Sequence, residues 1–259
     1  MEDAEWAFFE PFLMAIRGQG GRPASNHRLV LDGIFWIART GAAWRDLPEE
    51  FGKWSSVYRQ FRRWTLAGLW ELVLDALNDS GAAPDSVQMI DSTVIRAHHL
   101  AAGAKGGLKD RVLAVQKVAS RPKYTSLPQQ FSGAHGLPVR AEVTGGEVSD
   151  FKGFDALVDD DLPTARVFLA DRGYDSDHIR KTITERGGAP VIPAKANRKE
   201  PIPHDTVTYA LRNRIERCFA KLKCSRRLAT RYDKTSASYL GFIHIAAARL
   251  WTNQFVNRA

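Results

Sequence analysis

The spacing of apolar residues changes near residue 80, and that change divides the chain. Through residues 1–80 apolar positions recur at helical spacing: within Trp6–Ile16, in Leu29–Ala38 (Leu29, Ile34, Phe35, Ile37) and in Trp54–Leu66 (Trp54, Val57, Phe61, Trp64). This is the pattern of amphipathic helices with one buried stripe. Turn-rich stretches, Gly18–Pro23 and Gly41–Pro48, separate the three. Asn78–Pro84 (NDSGAAP) reads as a linker. Beyond it the apolar runs shorten. Ser86–Ile95 reads as a strand, Leu137–Thr144 alternates as a second closed by Gly145 and Gly146, and Ala165–Ala170 and Pro190–Pro193 read as short buried strands. Helices are predicted at Phe154–Asp160, Asp177–Arg186, Thr206–Arg227 and Ser236–Phe255. Strands alternating with helices point to an α/β layer architecture. The expected organisation is a small all-helical domain over 1–82 and an α/β domain over 83–259.

Composition narrows this little; charge narrows it more. The 259 residues suffice for one large domain or two small ones, and 44% hydrophobic with 25% charged is an ordinary globular balance. Two cysteines, Cys218 and Cys224, cannot build a disulfide framework, so a reducing cytoplasm is expected. The most apolar stretches, Leu29–Ala38 and Phe242–Trp251, are short and carry Asp32, His244 and Arg249, which excludes a membrane span. Glu2, Asp3 and Glu5 at the start are unlike a secretory or transit peptide. The net charge of +8 is uneven. Residues 1–84 carry 9 basic and 11 acidic side chains, residues 85–194 carry 14 of each, and residues 195–259 carry 14 basic against 4 acidic. A basic C-terminal quarter on a neutral body implies a polyanion surface, most simply nucleic acid, although a solvated basic face has the same charge. The helix at Trp54–Leu66 sets Tyr58, Arg59, Arg62 and Arg63 beside its apolar stripe, which suits phosphate contacts or a plain solvent face.

Three acidic residues stand out by context. Asp91 lies inside an apolar strand (MIDST), Asp171 follows directly on the run VFLA, and Glu216 lies in the long basic helix. A carboxylate in or at the end of a buried strand is costly unless it is paired or binds a metal. Taken singly, either aspartate is better explained by capping a turn or pairing with arginine. Together, the three suit a pair of Mg²⁺ ions that activate water and stabilise the leaving oxygen of a phosphodiester. Tyr209, Arg212, Glu216 and Lys223 fall at helical offsets that place all four on one face.

These residues carry a resemblance. Tyr209, Arg212, Glu216 and Lys223 match Tyr-x2-Arg-x3-Glu-x6-Lys, and the chain resembles insertion-sequence transposases of the Asp-Asp-Glu (DDE) type. MIDSTVIRAH (Met89–His98) looks like the segment with the first Asp, LADRGYDSD (Leu169–Asp177) like that with the second, and residues 1–80 are similar to the helical domain that precedes this core. The resemblance implies a ribonuclease H-like mixed sheet flanked by helices. It makes Asp91, Asp171 and Glu216 ligands of two Mg²⁺ ions, with Mn²⁺ as substitute. Tyr209, Arg212, Lys223 and Arg217 would grip double-stranded DNA, helped by Arg59, Arg62 and Arg63. It further implies nicking at terminal inverted repeats, attack of the freed 3′-OH on target DNA, a homodimer holding two ends, and a nucleoid-associated cytoplasmic protein. A DNA-binding protein without catalysis and a metal-dependent nuclease without strand transfer are the alternatives. His98 and His99 follow Asp91 closely, but hard Mg²⁺ prefers oxygen, so they read as structural or DNA-facing. Cys218 and Cys224 lack zinc-ligand spacing and read as buried, reduced thiols.

One segment departs from the family. Where relatives continue Leu-Gly-Arg-Ser-Lys-Gly-Gly-Phe-Thr-Thr-Lys-Ile-His, this chain has LAVQKVASRPKYT at Leu113–Thr125. One permissible codon set for the family stretch, read one nucleotide later, encodes Leu113–Thr125 residue for residue. A frameshift and its compensating shift over about Arg111–Ser132 explain this better than a divergent loop. In the implied fold this stretch supplies the central second strand. Pro122 and Pro128 cannot donate to a ladder. Val115–Ala119 is left as a stretch that can still pair briefly; if it does not, the strand holding Asp91 has an unpaired edge, and a catalytically impaired copy is expected.

Overall fold

The computed structural model describes residues 1–16, 26–80, 87–95, 98, 101, 114–121, 137–144, 150–158 and 165–255. In chain order the helices and strands are α1 (Asp3–Ala15), α2 (His27–Thr40), α3 (Trp54–Leu66), α4 (Leu69–Ser80), β1 (Val87–Ile95), β2 (Ala114–Arg121), β3 (Leu137–Thr144), α5 (Asp150–Leu157), β4 (Val167–Ala170), α6 (Asp177–Glu185), β5 (Ala189–Val191), α7 (Thr206–Tyr209), α8 (Asn213–Lys223), α9 (Arg226–Ala229) and α10 (Ser236–Phe255). They form two compact units. A helical unit takes Met1–Ser80, Ala97–Asp110 and Lys221–Ala259, and a sheet unit takes Gly81–Arg96 and Arg111–Ala220.

The sheet runs β3-β2-β1-β4-β5. β1, β2 and β3 are antiparallel neighbours, whereas β4 is parallel to both β1 and β5. Val87 through Asp91 are all buried, the near-continuous burial of a strand covered on both faces. The core on one side gathers Ile90, Phe168 and Ala170 with Phe154 and Leu157 of α5 and Ile179 and Ile183 of α6. α6 starts where Ser176 Oγ accepts the Ile179 N–H at 3.2 Å, the N-cap bond that satisfies an otherwise orphaned donor.

The segment read as frameshifted does not leave β1 with an open edge. β2 pairs with β1 from Met89↔Ser120 to Ile95↔Ala114, setting Val118 opposite Asp91. It also pairs with β3, with a register shift between Ala119 and Ser120. Ladder bonds need only backbone groups, which every residue except proline supplies in full. Ala114–Arg121 contains no proline. Pro122 and Pro128 lie outside the described residues, as do Gly145 and Gly146. Two predicted boundaries also move. α5 begins at Asp150 and holds Gly153 inside it, and the linker at Asn78–Pro84 gives up its first three residues to α4.

α10 spans the predicted Ser236–Phe255, but it packs on α2, α3 and α4. A division at residue 82 therefore does not separate the compact units. Three amphipathic N-terminal helices leave an apolar face that needs a cover, and α10 supplies it. Phe242 stacks on Phe61 with ring centroids 4.5 Å apart. Arg62 donates to Ser238 Oγ at 2.7 Å and to Thr235 Oγ1 at 3.3 Å. Near α9, Arg227 is buried and donates to both oxygens of Asp233 (3.0 and 2.9 Å) and to the Ala42 carbonyl (2.9 Å). Its guanidinium also lies 5.2 Å from the centroid of Phe242. Gly41, which closes α2, has φ of 69°, and a Cβ there would stand 3.1 Å from Arg226 Cβ, so the turn under Arg227 requires glycine. No helix among the described residues is long and apolar enough to cross a membrane.

All seven tryptophans belong to the helical unit, so their fluorescence reports its unfolding. Replacing Asp233 by Ala strands the Arg227 charge in the interior. The expected loss is about 3–5 kcal/mol, read as a lower urea midpoint by tryptophan fluorescence. A loss below about 1 kcal/mol, the worth of an exposed pair, would show that Arg227 is not an anchor.

A carboxylate cluster around Arg212 as the candidate active site

β1 and β4 pair in parallel through Val87↔Val167 and Ile90↔Ala170. One residue further along the same register are Asp91 and Asp171, on strands about 4.8 Å apart. Asp91 is buried, and its Oδ1 accepts the N–H of Ser92 at 2.8 Å. Asp171 ends β4 and caps the 3₁₀ turn Arg172–Tyr174, its Oδ1 accepting the Gly173 N–H at 2.8 Å. Burial, with a smaller contribution from the Asp171 charge, holds the Asp91 carboxyl above the ordinary aspartate range despite the opposing pull of Arg212 and of the Ser92 N–H.

Arg212 supplies the countercharge. Its Nη2 donates to Asp91 Oδ2 at 3.0 Å, and its Nη1 lies 3.6 Å from Glu216 Oε1. Burial alone would lower the pKa of the guanidinium. The charges of Asp91 and then Tyr209, Asp171 and Glu216 outweigh that and raise it. The predicted unbroken helix over Thr206–Arg227 is interrupted here. α7 ends at Tyr209, Ala210–Arg212 forms a 3₁₀ turn, and α8 runs only to Lys223. In a 3₁₀ turn residues three apart eclipse, so Tyr209, which precedes the turn, and Arg212, which ends it, come to the same side of the chain. Both line a cavity of about 420 Å³ with Asp171, Arg172, Pro193 and His204. The His204 and Tyr209 rings meet edge-on with centroids 5.2 Å apart.

The sheet unit thus brings together Asp91, Asp171, Tyr209, Arg212 and Glu216. Among the described residues, no three acidic, histidine or cysteine side chains stand ready to hold a metal ion. The cation in contact with two of the carboxylates, Asp91 and Glu216, is the Arg212 guanidinium. Arg217 is exposed on α8, and Lys223 closes that helix half-buried. On α3, Arg59 and Arg63 are exposed, whereas Arg62 is spent on Thr235 and Ser238. His98 donates its backbone N–H to the Arg231 carbonyl at 2.8 Å in the helical unit, a structural contact; His99 lies outside the described residues. Cys218 is buried as expected, but Cys224 is exposed, because the chain turns out of α8 at that point.

Sequence reasoning passed over Asp175, although it stands four residues beyond Asp171. Its side chain has no exposure, and it accepts from Arg180 Nε (2.9 Å), Arg198 Nη1 (3.0 Å) and the Lys195 N–H (2.8 Å). Arg180 also donates to the Ile192 carbonyl at 2.8 Å, and Arg198 binds Asp177. The network ties the turn after Asp171 to the chain after β5. The readable signal was a second aspartate in LADRGYDSD, with two arginines downstream to meet it.

Comparison with known proteins gives these residues a family. Residues 1–74 match a family model described as "Putative transposase of IS4/5 family", and residues 168–253 match one described as "Transposase DDE domain". A Brucella ovis protein named "Putative transposase for insertion sequence element IS6501" is 35% identical over 119 residues, 46% of this chain and 91% of that protein. The protein y4sN of Sinorhizobium fredii is 40% identical over 115 residues, 43% of this chain and 90% of its own. A 16.2 kDa protein of insertion element IS402 from Burkholderia cepacia is 37% identical over 118 residues, 41% of this chain and 78% of its own. The chain belongs to the DDE-domain transposases of insertion sequences. The DDE match takes in Asp171, Asp175, Arg212 and Glu216 of this transposase.

The Asp175 network makes acid stability testable in the transposase. Burial alone would raise the Asp175 carboxyl, but the Lys195 N–H, Arg180 and Arg198 hold it below its ordinary value. Such a group stabilises the fold above its unfolded pKa, near 3.9, and loses that contribution as pH falls through the depressed folded value. Asp175→Asn is expected to cost about 3 kcal/mol at pH 7, with the gap to wild type closing in acid below about pH 4. Denaturant melts followed by far-UV circular dichroism at several pH values read this. A pH-independent gap would show that the ionised carboxylate is not what stabilises the turn.

Proposed function

We propose that this transposase nicks DNA at the ends of its insertion sequence and joins the freed 3′-OH to a target strand, with Asp91, Asp171 and Glu216 as its catalytic carboxylates. The register of β1 and β4, which sets Asp91 beside Asp171 next to Arg212 and Glu216, carries this reading. The sheet order and the DDE match support a ribonuclease H-like core.

The donor set fits divalent ions in kind. Three hard oxygen ligands surround a positive charge already, and like-charged Asp91 and Asp171 are held close enough to repel. Asp91, Asp171 and Glu216 would hold two Mg²⁺ or Mn²⁺ ions. Such ions, when bound, make a nearby water more acidic and neutralise charge on the departing oxygen. The protein's part is positioning. β1 and the Ser92 N–H orient Asp91, and the Gly173 N–H fixes Oδ1 of Asp171, a residue that lines the cavity. Tyr209, Arg212, Arg217 and Lys223 lie along one stretch of α7 and α8, so a DNA backbone laid there meets three cations and a phenol. Arg59 and Arg63 offer phosphate contacts on α3, a role Arg62 cannot fill while it binds Ser238. Two ends must be held together for transposition, which calls for two copies of the chain. Its substrate places it with the nucleoid.

A plasmid carrying the element's own terminal repeats tests this. Mg²⁺- or Mn²⁺-dependent nicking is expected, falling at least about a hundredfold in Asp171→Asn, the scale of loss for a misplaced catalytic group. Nicking that persists in the variant, or none by wild type, would contradict the proposal. Cleavage regained once residues 111–132 are returned to the family reading frame would trace a wild-type failure to the β2 stretch.

A further inference from the structure

The contact between Arg212 and Asp91 raises a conflict of charge. Asp91 Oδ2 holds Arg212 Nη2 at 3.0 Å, and the same guanidinium reaches Glu216 at 3.6 Å. A Mg²⁺ ion on that oxygen would sit about 2.0–2.1 Å from it, within a few ångströms of a positive nitrogen. At such separation, in a partly buried site, like charges repel strongly. Cation and guanidinium therefore compete for one carboxylate. The arginine is also incompletely satisfied, since its Nε is buried without an acceptor. A phosphodiester offers a guanidinium two oxygens in the planar geometry that it binds best, and Arg212 lines an open cavity from which one is reachable.

We infer that Arg212 is an internal counter-ion that keeps divalent ions off Asp91 until a DNA phosphate draws its guanidinium away. The inference rests on the reading of Asp91, Asp171 and Glu216 as the metal-holding set. It makes ion binding and DNA binding mutually reinforcing, because coupling between two ligands is reciprocal. Its consequence is protective: the free protein holds its carboxylates neutralised, and the metal site is completed on DNA.

The test is Mn²⁺ binding to the free, full-length protein, followed by the electron paramagnetic resonance of unbound Mn²⁺. Arg212→Gln is expected to bind Mn²⁺ at least tenfold more tightly than wild type, while Arg212→Lys, which keeps the charge, stays weak. Adding Asp171→Asn to Arg212→Gln should abolish the gain. Equal affinity in wild type and Arg212→Gln, with loss in the Asp171→Asn variant, would overturn the counter-ion role and leave the metal site standing. Tight binding indifferent to Asp171→Asn would overturn the metal-site reading itself. A second measurement reads the wild type and needs only the charge-conserving variant for assignment, so it survives an Arg212→Gln variant that fails to fold. The Arg212 Nε–H resonance, assigned by its absence in Arg212→Lys, should hold its position on adding Mg²⁺ alone and shift on adding a short DNA duplex without metal. A shift with Mg²⁺ alone, or none with the duplex, would overturn the inference.

Discussion

Two aspartates set side by side at the edge of a parallel ladder are the costly feature around which the sheet unit is arranged. Buried β1 places Asp91 where solvent cannot stabilise its charge, and the register with β4 adds the charge of Asp171 nearby. A fold selected for stability alone would put an apolar residue at position 91. The cost is met locally by the Ser92 N–H and by Arg212, delivered on a 3₁₀ turn that breaks an otherwise helical run. The interruption is thus tied to the carboxylates, and it is also what brings Tyr209 over the cavity.

A second buried ionic network stabilises the neighbourhood without joining the chemistry. Asp175, Arg180 and Arg198 lock the turn after Asp171 to the chain after β5. The Asp171 carboxylate therefore projects from a fixed turn. In the helical unit Arg227 and Asp233 do the same for the junction of α9 with the α2 end. Both networks are fully partnered, the condition under which buried charges specify one arrangement.

Much of this was legible in the sequence. β3, α3 and α10 fall at the predicted residues because their apolar periods are long and unambiguous. The context of Asp91 and Asp171 marked them as costly, and both bland explanations turn out to be literally present: Asp171 caps a turn and Asp91 pairs with an arginine. What periodicity could not show was tertiary. Nothing in Ser236–Phe255 indicates that its apolar faces close the N-terminal helices. A single long amphipathic pattern over Thr206–Arg227 hides a local tightening at Ala210–Arg212. The prolines of the altered segment argued against a second strand, yet the proline-free Ala114–Arg121 pairs along its length. Backbone hydrogen bonding tolerates a replaced sequence that side-chain patterning would reject.

The most direct test of the account is where a divalent ion sits. Crystals of the wild-type protein bound to a short DNA duplex, grown with excess Mn²⁺ and measured at the manganese absorption edge, would locate it by anomalous scattering. The account requires a peak in contact with Asp91 and Asp171, with the Arg212 guanidinium moved off Asp91 Oδ2. Manganese bound elsewhere, or bound to both aspartates with Arg212 still in place on Asp91, would contradict it.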